Sequence, residues 1–333
     1  MDPVYSRDEC VAAIRDYYDF LAKSFMDPLF IVEPPQNGWP DISTDATNHL
    51  GKTEQVMDLL RHLPYIAKRP KSNRPEGIPG ARFIDWPYIV RRIAAGHSDA
   101  EGELLMSEGF EDQFNGKIPS HCIGLVHGGY LMGNVHPDVI LLDTKCGLVY
   151  WMNCPTKVQE TASPQSSYLV HSLEGEPSEE NENIKAETDG HKDEYEEDES
   201  GKKGEEEEEE EDNDEDEDDD DNNEDEDEDE DEDEIQWGPC WPVRHFFEML
   251  KNQFRQLNFI PKNSYDVVDV WTDMTGYDEP IPEGFVGLMQ AIYRKNGWPD
   301  VENFRKDDCL AELKRELDDK YPEHHRYYFR SPA

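Results

Sequence analysis

No apolar run in this sequence approaches the roughly 18 residues that a membrane-spanning helix requires. Its first residues, MDPVYSRDEC, hold neither the basic nor the apolar segment of a secretory leader. These absences predict an intracellular protein, cytoplasmic or nuclear, with no membrane partner. Cysteine is sparse and scattered: Cys10, Cys122, Cys146, Cys154, Cys240 and Cys309 include no CxxC pair. Such spacing argues against a disulfide framework and against a zinc knuckle, and it predicts reduced, mostly buried thiols. Catalytic signatures are missing too. There is no GxSxG, Walker loop, HExxH, EF-hand loop or GxGxxG after a strand. The residues announce no reaction, no cofactor and no metal. Positive charge is also scarce, with 32 Lys and Arg against 78 Asp and Glu and a net charge of -46. A chain so negative is repelled by nucleic-acid phosphates, which excludes direct nucleic-acid binding as an expectation.

What is present begins with the location of that charge. Of the 30 residues 205–234, all but Asn213, Asn222 and Asn223 are Asp or Glu. Outside 161–234 the net charge is only -10, an ordinary value for a domain able to bury a core. Like charges at the density of 205–234 cannot bury apolar surface, so residues 155–236 are expected to form a disordered, solvated insert. Glu205, Asp214, Asp220, Glu228 and Glu234 sample the tract as candidate contacts for basic partners, in a salt-dependent manner. The competing reading is a solubilising linker with no dedicated partner. Lys68-Arg69-Pro70-Lys71 fits a short basic nuclear-import pattern.

Apolar periodicity sketches the rest. Ser6 and Glu9 have capping-box spacing, and Val11, Ile14, Tyr18 and Leu21 follow at helical intervals, predicting a helix over 8–25. Thr53 opens a second, carrying Val56, Leu59 and Leu60. The charged, proline-rich 66–79 reads as an exposed loop, and 96–118 as irregular. Phe83 and Ile84 end a short strand, and Asp85-Trp86-Pro87 starts a helix. Residues 139–143 and 148–151 flank Thr144-Lys145-Cys146-Gly147 as a β-hairpin. Phe246, Phe247, Leu250, Phe254 and Leu257 mark a strongly amphipathic helix. Residues 265–274 read as strand or helix, and helices over 283–296 and 307–321 close the fold.

Four of the seven tryptophans precede proline: Trp39, Trp86, Trp241 and Trp298. Proline disfavours helix at the residue before it and suits a first helical turn. Each pair is therefore expected to seat a tryptophan just outside a helix start as a core anchor, with Asp143 as a further structural anchor. The best chemical cluster is Ser120-His121-Cys122, His127-Gly128-Gly129 and His136, near Asp138 and Asp143. Adjacent strands are able to bring a Cys, a His and an Asp together, as nucleophilic catalysis or zinc binding needs, but nothing in the sequence specifies that these converge. Against that, residues along a strand alternate faces, and His127-Gly128-Gly129 reads better as a loop.

Two resemblances attach to these residues. SRDECVAAIRDYYDFL, PPQNGWPDI, LGKTEQVMDLLRHLPYI, ILLDTKCGLVYWMNCP and YRKNGWPD resemble a group of uncharacterised filamentous-fungal proteins. More remotely, Ile123-Gly124-Leu125, Val139–Lys145, Gly147–Trp151 and then Phe246-Phe247-Glu248-Met249-Leu250 are similar in order to the SUKH superfamily. That resemblance implies a strand ending in an acid (Asp143), a turn, a second strand and an amphipathic helix. It also implies a binding scaffold rather than an enzyme, as in fungal cell-wall-synthesis regulators and bacterial immunity proteins.

The expected fold is thus α+β: one helix-rich domain around a small antiparallel sheet, built from 1–154 and 237–333 and interrupted by the acidic insert. The expected function is a non-catalytic interaction scaffold for proteins, basic ones through the tract. The alternatives are a nuclear, acidic histone-chaperone-like protein and an enzyme using His121, Cys122 and His127. The sequence does not set the oligomeric state.

Overall fold

The computed structural model describes residues 4–43, 49–69, 72–109, 118–128, 139–161, 237–271 and 282–322. Among the described residues, eight α-helices and several small antiparallel sheets make it a mixed α+β fold. The main sheet contains β4 (Cys122–Gly124), β6 (Ile140–Asp143), β7 (Leu148–Trp151) and β8 (Cys240–Pro242), in that spatial order. The hairpin forms where expected: Leu142 pairs with Val149 and Asp143 with Leu148 across the Thr144–Gly147 turn. Gly147 takes a left-handed φ of 72°, which a side chain would resist. Beyond it, Val149 pairs with Trp241, so strands on either side of the acidic tract are hydrogen-bonded neighbours.

Side chains alternate across this sheet, and both faces are covered. Ile123, Ile140, Leu142, Val149, Trp151 and Trp241 face the main core. Against them lies α6 (Val243–Arg255), whose Phe246, Phe247, Leu250 and Phe254 are all at most 1 % exposed. Phe246 sits edge-on to Trp151 with ring centroids 6.3 Å apart, and 5.9 Å from Trp241. Removing each phenyl ring from water contributes about 1.5–3 kcal/mol. The far side of α6 receives α1 (Arg7–Ser24), where Tyr17 meets Phe247 at 5.3 Å and Phe20 meets Phe254 at 6.0 Å. Ser6 caps α1 by accepting from the Glu9 N–H.

The other elements follow the predicted order with four corrections. First, α2 (Glu54–His62), capped by Thr53, and β2 (Tyr65–Ile66) lead into a stretch that is not an exposed loop. Pro75–Pro79 is buried, Tyr17 Oη donates to Gly77 O at 2.6 Å, and the Glu76 carboxylate accepts from Val267 N at 2.8 Å. A charged residue here serves the interior because backbone donors from a distant strand satisfy it. Second, after β3 (Ala81–Phe83) and α3 (Trp86–Ala94), residues 96–118 are not all irregular. They hold α4 (Ala100–Glu108), capped by Asp99 accepting from Gly102 N at 2.7 Å. Its faces differ little in polarity, so periodicity gave no sign of it.

Third, His127-Gly128 is strand rather than loop: β5 (Val126–Gly128) pairs with β3. Fourth, the boundary at 155 moves. α5 (Thr156–Thr161) buries Val158 completely, and Gln253 Nε2 donates to Thr161 Oγ1 at 2.8 Å. One apolar residue in a six-residue helix is too weak a pattern to read. Residues 162–236, with all five tract candidates, lie outside the described residues. The ambiguous 265–274 contains β10 (Val267–Asp269), paired with β9 (Phe259–Pro261). The predicted closing helices are α7 (Phe285–Lys295) and α8 (Lys306–Lys320). None of the six cysteines is in a disulfide, and all but Cys146 are buried. Among the described residues, no helix is long and apolar enough to cross a membrane.

Candidate functional site

The tryptophan anchors divide. Trp86, Trp241 and Trp298 are at most 5 % exposed, whereas Trp39 is half-buried and fixes itself by donating to Leu63 O at 2.8 Å. Only Trp86 and Trp241 stand at helix starts, and Trp86 is the first residue of α3 rather than outside it. No helix follows Pro40 or Pro299 directly. There proline serves a turn, and Trp298 instead donates to the carbonyl of Phe254 at 2.9 Å near the end of α6.

The second face of the sheet carries the chemistry. Cys122 pairs directly with Asp143, so both side chains stand on the same side, away from α6. His121 precedes the strand and escapes its alternation. Thr144 clamps it, both backbone N and Oγ1 donating to His121 O at 2.9 Å. As a result a His121 ring nitrogen, Cys122 Sγ and an Asp143 carboxylate oxygen lie within 4.8 Å of one another. His121 Nε2 is 3.7 Å from Asp143 Oδ2. The other oxygen, Oδ1, holds the turn by accepting from Lys145 N at 2.6 Å and Cys146 N at 3.2 Å. Cys146 then directs Sγ at Oδ2, 3.0 Å away. Besides holding the turn, Asp143 faces two thiols and an imidazole.

Beside Cys122 lies a buried ion pair that periodicity did not single out. Lys52 Nζ reaches Glu108 Oε2 at 2.7 Å, with side chains 4 % and 7 % exposed. Glu108 also accepts from Gly124 N at 3.3 Å. A Cβ on Gly124 would lie 2.4 Å from Ser107 O, so glycine lets the end of α4 press directly on the strand. Burial raises the Glu108 carboxyl, with the Lys52 charge opposing.

The enzyme constellation His121, Cys122 and His127 is not assembled. His127 belongs to the β3–β5 pair and faces α4, 3.7 Å from Glu103, while Glu103 bonds Ser98. Burial and the nearby Arg74 push the His127 ring down to about 4. Burial, then the Asp143 charge, holds the Cys122 thiol well above its ordinary value, and burial pushes Cys146 up to about 12. A nucleophilic cysteine needs the opposite environment. His136 and Asp138 lie outside the described residues. Sequence reading missed Cys146 as a donor, although Asp143-x-x-Cys146 repeats the spacing of a metal-ligand pair across a turn. Comparison with protein-family models, with curated proteins and with solved structures finds no match for this chain.

Proposed function

We propose that this protein is a non-catalytic interaction scaffold, an α+β body that presents an acidic tract to basic proteins. One observation carries the reading: the residues flanking the segment 162–236, which holds the tract, are fastened to the same body. On one side Thr161 is bonded to Gln253 of α6. On the other, Trp237 packs on Tyr150 of β7 at 4.5 Å and β8 completes the sheet. The segment is therefore tethered at both ends, and its tract has 27 carboxylates in 30 residues. Successive residues advance at most about 3.6 Å along a chain. That is well inside the roughly 8 Å screening length at physiological salt, so one Lys or Arg of a partner feels several carboxylates together. The resemblance in sequence of 139–151 and 246–250 to the SUKH superfamily implies a binding role as well.

The nuclear histone-chaperone alternative gains no particular support. Lys68 lies over the Tyr88 ring and its N–H bonds Asp85, while Arg69 covers Phe30, so half of the basic run is engaged by the body.

Calorimetric titration of core histones and of a lysine-rich peptide tests the proposal. Full-length protein is expected to bind at about 50 mM salt and to lose at least about tenfold in affinity at 300 mM. A variant lacking 162–234 is expected to keep its melting temperature and lose this binding. Undiminished binding by that variant would place the contact elsewhere and defeat the reading.

A further inference from the structure

We propose that His121, Cys122, Asp143 and Cys146 form a tetrahedral site for a zinc-type divalent metal. Donors around such an ion, bound at 2.0–2.3 Å, stand roughly 3.3–3.8 Å apart. His121 Nε2 and Asp143 Oδ2 already have that separation at 3.7 Å, and Cys122 Sγ lies within 4.8 Å of both groups. Cys146 Sγ approaches the same carboxylate oxygen at 3.0 Å from the turn. It stands outside the 4.8 Å grouping of the other three donors, so its thiol must swing from Asp143 towards His121 and Cys122 to become the fourth. Two thiols, one imidazole and one carboxylate select a borderline metal over calcium or magnesium, which take oxygen ligands.

The supporting shell is in place. Thr144 holds the backbone of His121, and the N–H groups of Lys145 and Cys146 hold Asp143 Oδ1, leaving Oδ2 turned towards the other donors. Such outer contacts fix the orientation of ligands. With four protein donors no coordination position stays open, so the metal's part is structural. It ties the segment entering β4 to the β6–β7 turn, and the two thiols bind as thiolates after releasing their protons to water.

Cobalt titration of the full-length, reduced protein tests this site, because cobalt reports its ligands. The expected result is one equivalent bound with a thiolate-to-cobalt charge-transfer band and the strong visible bands of tetrahedral geometry, both abolished by zinc. His121→Ala and Cys146→Ala, chosen because both side chains reach solvent, are each expected to weaken cobalt binding at least about tenfold. Their far-ultraviolet circular dichroism is expected to stay unchanged. Only the pale octahedral spectrum of carboxylate-bound cobalt, as the acidic tract would give, overturns the proposal. So does a tetrahedral spectrum indifferent to both substitutions. Should either variant unfold, the wild-type spectrum alone decides.

Discussion

The two faces of the four-stranded sheet are closed by different forces. Towards α6 the contacts are aromatic: Trp151 and Trp241 against Phe246, then Phe247 and Phe254 against α1. On the other face a small apolar group, Val139, Leu141, Leu148, Tyr150 and Cys240, shares space with Cys122, Asp143 and the Lys52–Glu108 pair. The first face is held by area removed from water and tolerates imprecision. The second depends on matched partners, and a buried charge without its partner costs more than the pair contributes. Stability is therefore spread over the aromatic face and concentrated in a few atoms on the polar one.

Four substitutions break or sharpen that contrast. Phe246→Ala deletes the ring between sheet and helix and is expected to destabilise by about 4 kcal/mol, read by urea denaturation. A loss below 1 kcal/mol would mean that α6 does not close the core. On the polar face, Lys52→Met is expected to cost about 3 kcal/mol by stranding Glu108, and Lys52→Met with Glu108→Leu to recover most of it. If the double variant is as unstable as the single one, the pair is not the unit that matters there. The smallest effect concerns a buried carboxylate off the sheet. Burial, then the Asp266 charge, raises Glu76 from 4.5 to about 7. Below pH 4.5 it is protonated folded or unfolded. Between 4.5 and 7 only the unfolded chain releases the proton, so stability falls as pH rises, then levels off. Glu76→Gln is expected to remove most of that fall, seen as a flatter plot of melting temperature against pH. An unchanged slope would refute the assignment.

The same contrast explains what was legible in the sequence. The apolar face of α6, the Ser6 and Thr53 caps and the hairpin around Gly147 are local signals, with spacing and turn chemistry inside a few residues, and all were readable. α4 and the buried Pro75–Pro79 stretch were not. Their burial is set by partners far along the chain: Gly124 under Ser107, Val267 donating to Glu76. The His121–Cys122–Asp143 grouping was half legible. Strand alternation rightly separates Cys122 from Ile123, but nothing local reveals that Thr144 draws His121 to the same side. His127 was misjudged for the reverse reason: it is near in sequence, yet its strand belongs to another sheet.

The hydrogen-bonded neighbours β7 and β8 have a consequence for processing. A protease cut anywhere in 162–236 severs no strand pair or ring contact among the described residues. The two products, one containing 1–161 and the other 237–333, would remain clasped through Val149 opposite Trp241 and through Trp151 against Phe246. Such a nicked molecule would migrate as one species until denaturant separates it into two.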